Sequence, residues 1–367
     1  MTTRRRFAGA RPIVAAGAAA GTPSRAAPAS YDDAVAATWR HGRLEGLQGA
    51  TLARELVRYA TLAPSSHNTQ CWKFRIDDGG RSIAIVADAT RRCPAVDPDD
   101  HHLFVSLGCA AENLVQAASA CGLHGEAHVD AARDTVTITL TPTAAHRTPL
   151  FDAIPQRQST RGLYDAKPLD NGTLRQLEAA GRSERVGLLL LTERAALADV
   201  LDFVVQGNTS QVNDAAFVAE LKSWIRFNEA EALRHGDGLF ARSAGNPTLP
   251  SWLAPWVFGL VFTAKAENDK IARQLRSSAG VAVFAARAAD KAHWVDVGRA
   301  FERFALQASA LGVRTAHLNQ PVEVAALRAS FAKRLGLGDV RPDLVIRFGR
   351  GPALPPSLRR PLEAVLV

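Results

Sequence analysis

No stretch of the 367-residue chain approaches the roughly 18 consecutive apolar residues that span a bilayer, so no stable membrane insertion is expected. The chain also lacks metal-ligand cysteine spacing: Cys71, Cys93, Cys109 and Cys121 form no CxxC or related pair. Cys109 and Cys121 fall on one helical run, about 18 Å apart, too far to bridge. Other disulfide pairings stay open in an oxidising compartment. A third absence is any Lys/Arg run interleaved with aromatics, which argues against a nucleic-acid partner despite a net charge of +8. Five arginines sit in residues 1–28, which hold no acid; without them 39 basic residues face 36 acidic ones.

What is present begins with that leader. Thr3-Arg4-Arg5-Arg6-Phe7 precedes a weakly apolar Ala/Gly stretch from Ile13 to Gly21, then small residues around Ala26-Ala27. The order of charge, short apolar middle and small residues predicts a twin-arginine signal over 1–28, read by the twin-arginine export machinery. Retention in the cytoplasm is the alternative.

Two segments 190 residues apart match without a gap, Val105–Leu123 and Val295–Val313. Gly108 and Gly298, Glu112 and Glu302, Ala118-Ser119-Ala120 and Ala308-Ser309-Ala310, and Gly122 and Gly312 coincide. Each segment carries apolar residues at helical spacing and ends on a glycine suited to a helix C-terminus. A mid-helix glycine and a glutamate in common favour duplication over chance likeness of two Ala-rich helices. Around these helices the pattern mixes helix and strand: a helix over Leu44–Ala60, strands at Ser82–Asp88, Thr135–Thr141, Val186–Thr192, Val281–Ala285 and Asp343–Phe348, and an N-cap at Asp170. The chain therefore divides into a first half (29–142), a polar linker (143–155) and a second half (156–367). The second half carries a lid-like insert at about 207–256, with a long polar helix and a Gly/Pro loop.

Two short motifs carry chemistry. Arg157-Gln-Ser159-Thr-Arg161 gathers two fixed cations and a hydroxyl, a set suited to a phosphate dianion, although such clusters alone are commonly just solvated surface. Ala63-Pro64-Ser65-Ser66-His67-Asn68-Thr69-Gln70-Cys71-Trp72 offers hydroxyls, amides and backbone N–H groups, and alone would pass for an ordinary turn. A third cluster, Asp97-Pro-Asp99-Asp100-His101-His102, precedes the first repeat helix and reads as capping rather than as a metal site.

Together the Arg-x-Ser-x-Arg and Pro-Ser-Ser-x-Asn-x-Gln-x-Trp motifs resemble the nitroreductase superfamily, over nearly the whole chain after the leader. The leader and insert resemble its exported, two-half, Acg-like branch. That resemblance implies an α+β nitroreductase-like fold of two fused halves, an intramolecular pseudo-dimer that is monomeric in solution. It implies one FMN, held by Arg157, Ser159 and Arg161 of the second half and by Ser65, Ser66, Asn68 and Gln70 of the first. By the same resemblance Arg359 and Arg360 close on the phosphate, and His317, Asn319 and Gln320 lie by the flavin ring. Cys71 departs from the proline usual there. The implied activity is two-electron transfer from flavin to a nitroaromatic or quinone-like acceptor, with no catalytic side chain named. Flavin storage without turnover is the alternative, with Trp224, Trp252 and Trp256 as cover over the flavin face.

Overall fold

The structure is a computed structural model and describes residues 30–367; the leader reading, residues 1–28, lies outside the described residues. The first half runs α1 (Tyr31–Thr38), α2 (Gly49–Thr61), β1 (Trp72–Ile76), β2 (Ser82–Ala87), α3 (His101–Ala120), β3 (Leu123–Asp130) and β4 (Thr135–Pro142). After α4 (Pro149–Ala153) come α5 (Asn171–Gly181) and β5 (Val186–Leu191). Next follow α6 (Arg194–Val212), α7 (Ala215–Trp224), β6 (Ile225–Arg226), α8 (Glu229–His235), β7 (Leu239–Phe240), α9 (Ala254–Val261) and α10 (Ala264–Arg276). The chain then returns through β8 (Gly280–Ala286), α11 (Lys291–Ala310), β9 (Arg314–His317), α12 (Gln320–Glu323), α13 (Ala325–Arg334) and β10 (Leu344–Gly349).

Each half builds one antiparallel four-stranded sheet, and the strand orders correspond: β1-β2-β4-β3 in the first and β5-β8-β10-β9 in the second. In both, the repeat helix follows the second strand and leads into the third. α3 and α11 cross at their mid-helix glycines. A Cβ on Gly108 would overlap the Val295 carbonyl oxygen, and one on Gly298 would overlap that of Val105. These contacts are reciprocal in the 190-residue register, as a local two-fold axis requires. Only glycine lets two helix backbones approach so closely. Gly122 and Gly312 each take a left-handed φ, 78° and 68°, just past their helix ends.

α3 is long and apolar enough to cross a membrane, contrary to the expectation from sequence, and 78% of its apolar window is buried inside the protein. It sits in a core shared by both halves, with Leu107, Leu114, Phe301 and Phe304 among its members. β4 alternates as expected, sending Val136, Ile138 and Leu140 inward. β8 and β10 are buried on both faces, because α6 and α10 cover the outer side of the second sheet through Leu197, Val204, Ile271 and Leu275.

Three expected boundaries move. The helix expected over Leu44–Ala60 is α2 and begins at Gly49, with a turn at residues 45–46 ahead of it. The linker 143–155 is not polar throughout: it closes on α4, whose Phe151 and Ile154 are buried. The segment without a counterpart in the first half runs from β5 to β8, wider than 207–256, and within it α6 and α10 are core helices. In place of one long polar helix, residues 215–235 hold α7 and α8 with β6 between them, and β6 pairs with β7 in parallel.

Candidate functional site between the halves

The loop joining α2 to β1 is the first wall of the site. His67, Asn68 and Gln70 all adopt left-handed φ (48°, 53° and 53°), a conformation that costs non-glycine residues roughly 1–2 kcal/mol each. Surrounding bonds hold it: Gln70 N–H donates to Ser65 Oγ (2.9 Å), Ser66 N–H to Ser106 Oγ (3.3 Å), and Asn68 and Thr69 N–H to Ser65 and Ser66 carbonyls. The two amides expected against the cofactor face elsewhere. Asn68 Nδ2 donates to the Gly238 and Leu358 carbonyls, and Gln70 Nε2 donates to that of Gly236. Gln70 Oε1 accepts from Arg360 N–H (2.9 Å). Thus Asn68 still borders a cavity, while fully buried Gln70 ties the insert and C-terminal strap to the loop.

The second wall is the Arg157–Arg161 segment. Ser159 bridges Thr315 on β9, and Thr160 N–H donates to the Thr315 carbonyl (2.8 Å). Arg157 is buried, its Nε 3.3 Å from Glu302 and its Nη2 donating to the Leu62 carbonyl. Burial pushes the Glu302 carboxyl up to about 7, against the opposing pull of Arg157. Arg161 differs. Among the described residues its guanidinium has neither a carboxylate nor a hydrogen-bond acceptor; burial and then Arg347 hold its pKa below the usual arginine range.

Two adjoining cavities open between these walls, of about 280 and 60 Å³. Pro64, Ser65, Arg161, Leu239 and His317 border both. Arg157, Ser159 and Arg359 border the smaller, and Ser66, Asn319 and Gln320 the larger. His317 ends β9 with its ring 4.9 Å from that of Phe301; burial, then Arg161, pulls its pKa down to about 3, so it is neutral. Asn319 Oδ1 accepts from Val345 N–H (2.9 Å).

Of the two C-terminal arginines, Arg359 borders the smaller cavity and Arg360 borders neither. Arg359 spends its donors on the carbonyls of Thr61, Leu62 and Ala63 at the α2 C-terminus and on Asn68 Oδ1, and stacks over Trp39. Arg360 donates to the Ala364 carbonyl. The insert covers the larger cavity with Phe217, Leu221, Leu239 and Phe262. The three tryptophans do not line it: Trp224 lies between Arg91 and Arg226, and Trp252 and Trp256 are each 76% exposed.

No family model matches the chain. Rv3131 of Mycobacterium tuberculosis H37Rv, which bears an NAD(P)H nitroreductase name, is 28% identical over 334 residues, covering 86% of this chain and 91% of that one. Acg of the same organism, similarly named, is 24% identical over 328 residues, covering 85% and 94%. Over most of its length the chain is similar to these proteins that bear nitroreductase names. A nitroreductase of Desulfitobacterium hafniense, solved with bound FMN, matches 59% of this chain and 96% of its own at 12% identity, with a TM-score of 0.38.

The most consequential residue missed from sequence is Arg347. It is fully buried on β10, lies over the Tyr164 ring (4.1 Å) and donates to the carbonyls of Thr160, Gly162 and Gln274, which fixes the turn that presents Arg161. Its signal was a lone arginine in the apolar run Leu344–Phe348. The capping role of Asp97 is seen directly, its Oδ2 accepting from Leu103 N–H (3.0 Å). All four cysteines are free thiols.

Proposed function

We propose that the chain holds one FMN between its halves and passes electron pairs from it to a small aromatic acceptor, a nitroarene or a quinone. The observation that carries this reading is Arg161, a fixed cation without a partner among the described residues, facing the junction of the two cavities. A half-buried guanidinium with no internal counter-charge, facing a cavity, is placed to bind an incoming anion through charge-assisted hydrogen bonds. The smaller cavity, with Arg157, Ser159 and Arg161, suits a phosphate; the larger, apolar on Val105, Leu239 and Phe301 and polar at Ser65 and Ser66, suits a flavin ring. The flavin, when bound, supplies the two-electron chemistry. The chain's residues would hold the phosphate at Arg161, fix the ring edge at the Ser65–Ser66 turn, and exclude water with Phe217 and Phe262.

The purified protein is then expected to be yellow and to bleach near 450 nm on anaerobic reduction, roughly where flavin absorbs. Arg161→Ala should fold with an unchanged melting temperature and carry less than about a tenth of the flavin. Full retention by that variant would remove the assignment. Arg157→Ala is the poorer probe, because it strands buried Glu302.

Residues 1–28 are proposed to route the folded, cofactor-loaded protein through the twin-arginine pathway. A reporter joined after residue 28 should leave the cytoplasm, and should stay there once Arg4, Arg5 and Arg6 are changed to Lys.

A further inference from the structure

We infer that His102, where it borders the larger cavity, is the hydrogen-bond donor to the oxygen of the electron acceptor, with Glu323 behind it as the proton reserve. The inference rests on the function proposed above and assigns its acceptor subsite.

His102, Gln211, Gln320 and Glu323 border the larger cavity and not the smaller. His102 lies in the first turn of α3 and is 5% exposed. Its Nδ1 is 3.8 Å from Glu323 Oε1 on α12, and its Nε2 is buried with no hydrogen-bond partner. Gln320 Oε1 on the same cavity is also buried and unpartnered. Gln211 Nε2, from α6, donates to Glu323 Oε2 (2.7 Å) and fixes that carboxyl. Protein interiors pair nearly all such atoms, and a group left open costs about 1–3 kcal/mol. The neighbouring His101 is what a histidine with a purely structural role looks like: its Nε2 meets Asp343 Oδ1 at 3.0 Å. His102 lacks that closure and borders open space.

Desolvation lowers the His102 pKa and raises that of Glu323, which favours the uncharged form of each. The groups facing them are His101, Asp97 and Arg341 for His102, and Asp97, Gln211 and Arg328 for Glu323. With the pair uncharged, a Glu323 O–H turned to Nδ1 leaves Nε2–H as the unpaired donor, to be met by a ligand oxygen once the ligand seats in the cavity. That donor fits an uncharged ligand oxygen, the carbonyl of a quinone or an oxygen of a nitro group.

A quinone becomes a hydroquinone by taking two electrons and two protons. The electrons and one proton come with the reduced flavin. The second proton passes from Nε2 to the ligand oxygen as Nδ1 takes the proton of Glu323. The Nε2–H and carboxyl O–H bonds break, ligand O–H and Nδ1–H bonds form, and Glu323 is left as a carboxylate that solvent reprotonates. The 3.8 Å gap closes to hydrogen-bond length when the ligand seats, as catalytic contacts commonly do.

The test uses the flavin-loaded full chain with menadione as probe. Binding to the oxidised protein is followed by flavin fluorescence, and oxidation of dithionite-reduced protein by stopped flow. His102→Ala should weaken binding about tenfold, the worth of one buried hydrogen bond. His102→Gln should regain affinity through its amide N–H yet oxidise roughly 100-fold more slowly than the parent. Glu323→Gln should bind normally, slow the same step and enlarge its solvent isotope effect. If His102→Ala does not fold, the other two variants carry the test. Loaded His102→Gln and Glu323→Gln proteins with parental affinity, rate and isotope effect would overturn the inference while leaving the flavin reading intact. A parent protein that takes up no flavin would overturn that reading, and this one with it.

Discussion

Two arginines four residues apart do different work because only one has an internal counter-charge. Arg157 neutralises Glu302, and Arg161 is held by Arg347 beneath it with no acid in reach among the described residues. The Glu302 pair has a consequence for stability. An unfolded glutamate ionises near 4.5, and the folded one is pushed up to about 7. Between those values the unfolded chain binds fewer protons than the folded one, so this group's contribution is full below about pH 4.5 and is lost as pH rises through 7. Glu302→Gln should flatten that part of the pH–melting profile while lowering stability overall, since Arg157 then loses its partner; an unchanged slope would reject the shift. At this scale the sequence was legible where a residue's type limits its options. Arg161, Ser65, Ser66, Ser159 and His317 were all named from motif and all border the cavities. Asn68 and Arg359 border the smaller cavity while Gln70 and Arg360 border neither, and all four bond backbone carbonyls, as amides and arginines do as readily as they bond ligands. No pattern in one chain says which carbonyls a fold will bring near.

Among the elements, the α3–α11 crossing and the clamp on the insert are the most exposed to substitution. Gly108→Leu or Gly298→Leu pushes two backbones apart, and overpacking of that kind costs about 1–3 kcal/mol or more. Both variants should lose melting temperature together; a neutral result at either would contradict the crossing. The turn 236–238 is held by Asn68, by Gln70 and by the Arg91–Asp237 ion pair. Asn68→Ala should therefore speed proteolytic nicking within 236–262 several-fold, with the core melting as before. Strands and the two repeat helices could be read from periodicity, which depends on nearest neighbours. The extent of the insert could not, because α6 and α10 carry the same amphipathic signal whether they cover a lid or a core sheet.

For the whole molecule, the duplicated sheets and the core shared by both halves predict a monomer, near the 39.2 kDa of the full chain when the leader is kept. Light scattering behind a sizing column checks this, and a stable dimer would count against the fused-halves reading. The repeat was visible in sequence because its helix is pinned by glycines that nothing else can replace. The asymmetry between the halves was visible only in part: the grip and the loop each survive once, but the partners of their matching glutamates needed coordinates. Glu112 meets Arg299 and Arg303, while Glu302 meets Arg157.

The covalent join between the halves also changes how the protein responds to dilution. A site shared by two separate subunits falls apart when protein concentration drops below their dissociation constant, and its cofactor leaves with it. Here the two walls are held at an effective local concentration set by the polypeptide rather than by the surroundings. Occupancy per chain should then depend on free cofactor alone, equal at nanomolar and micromolar protein.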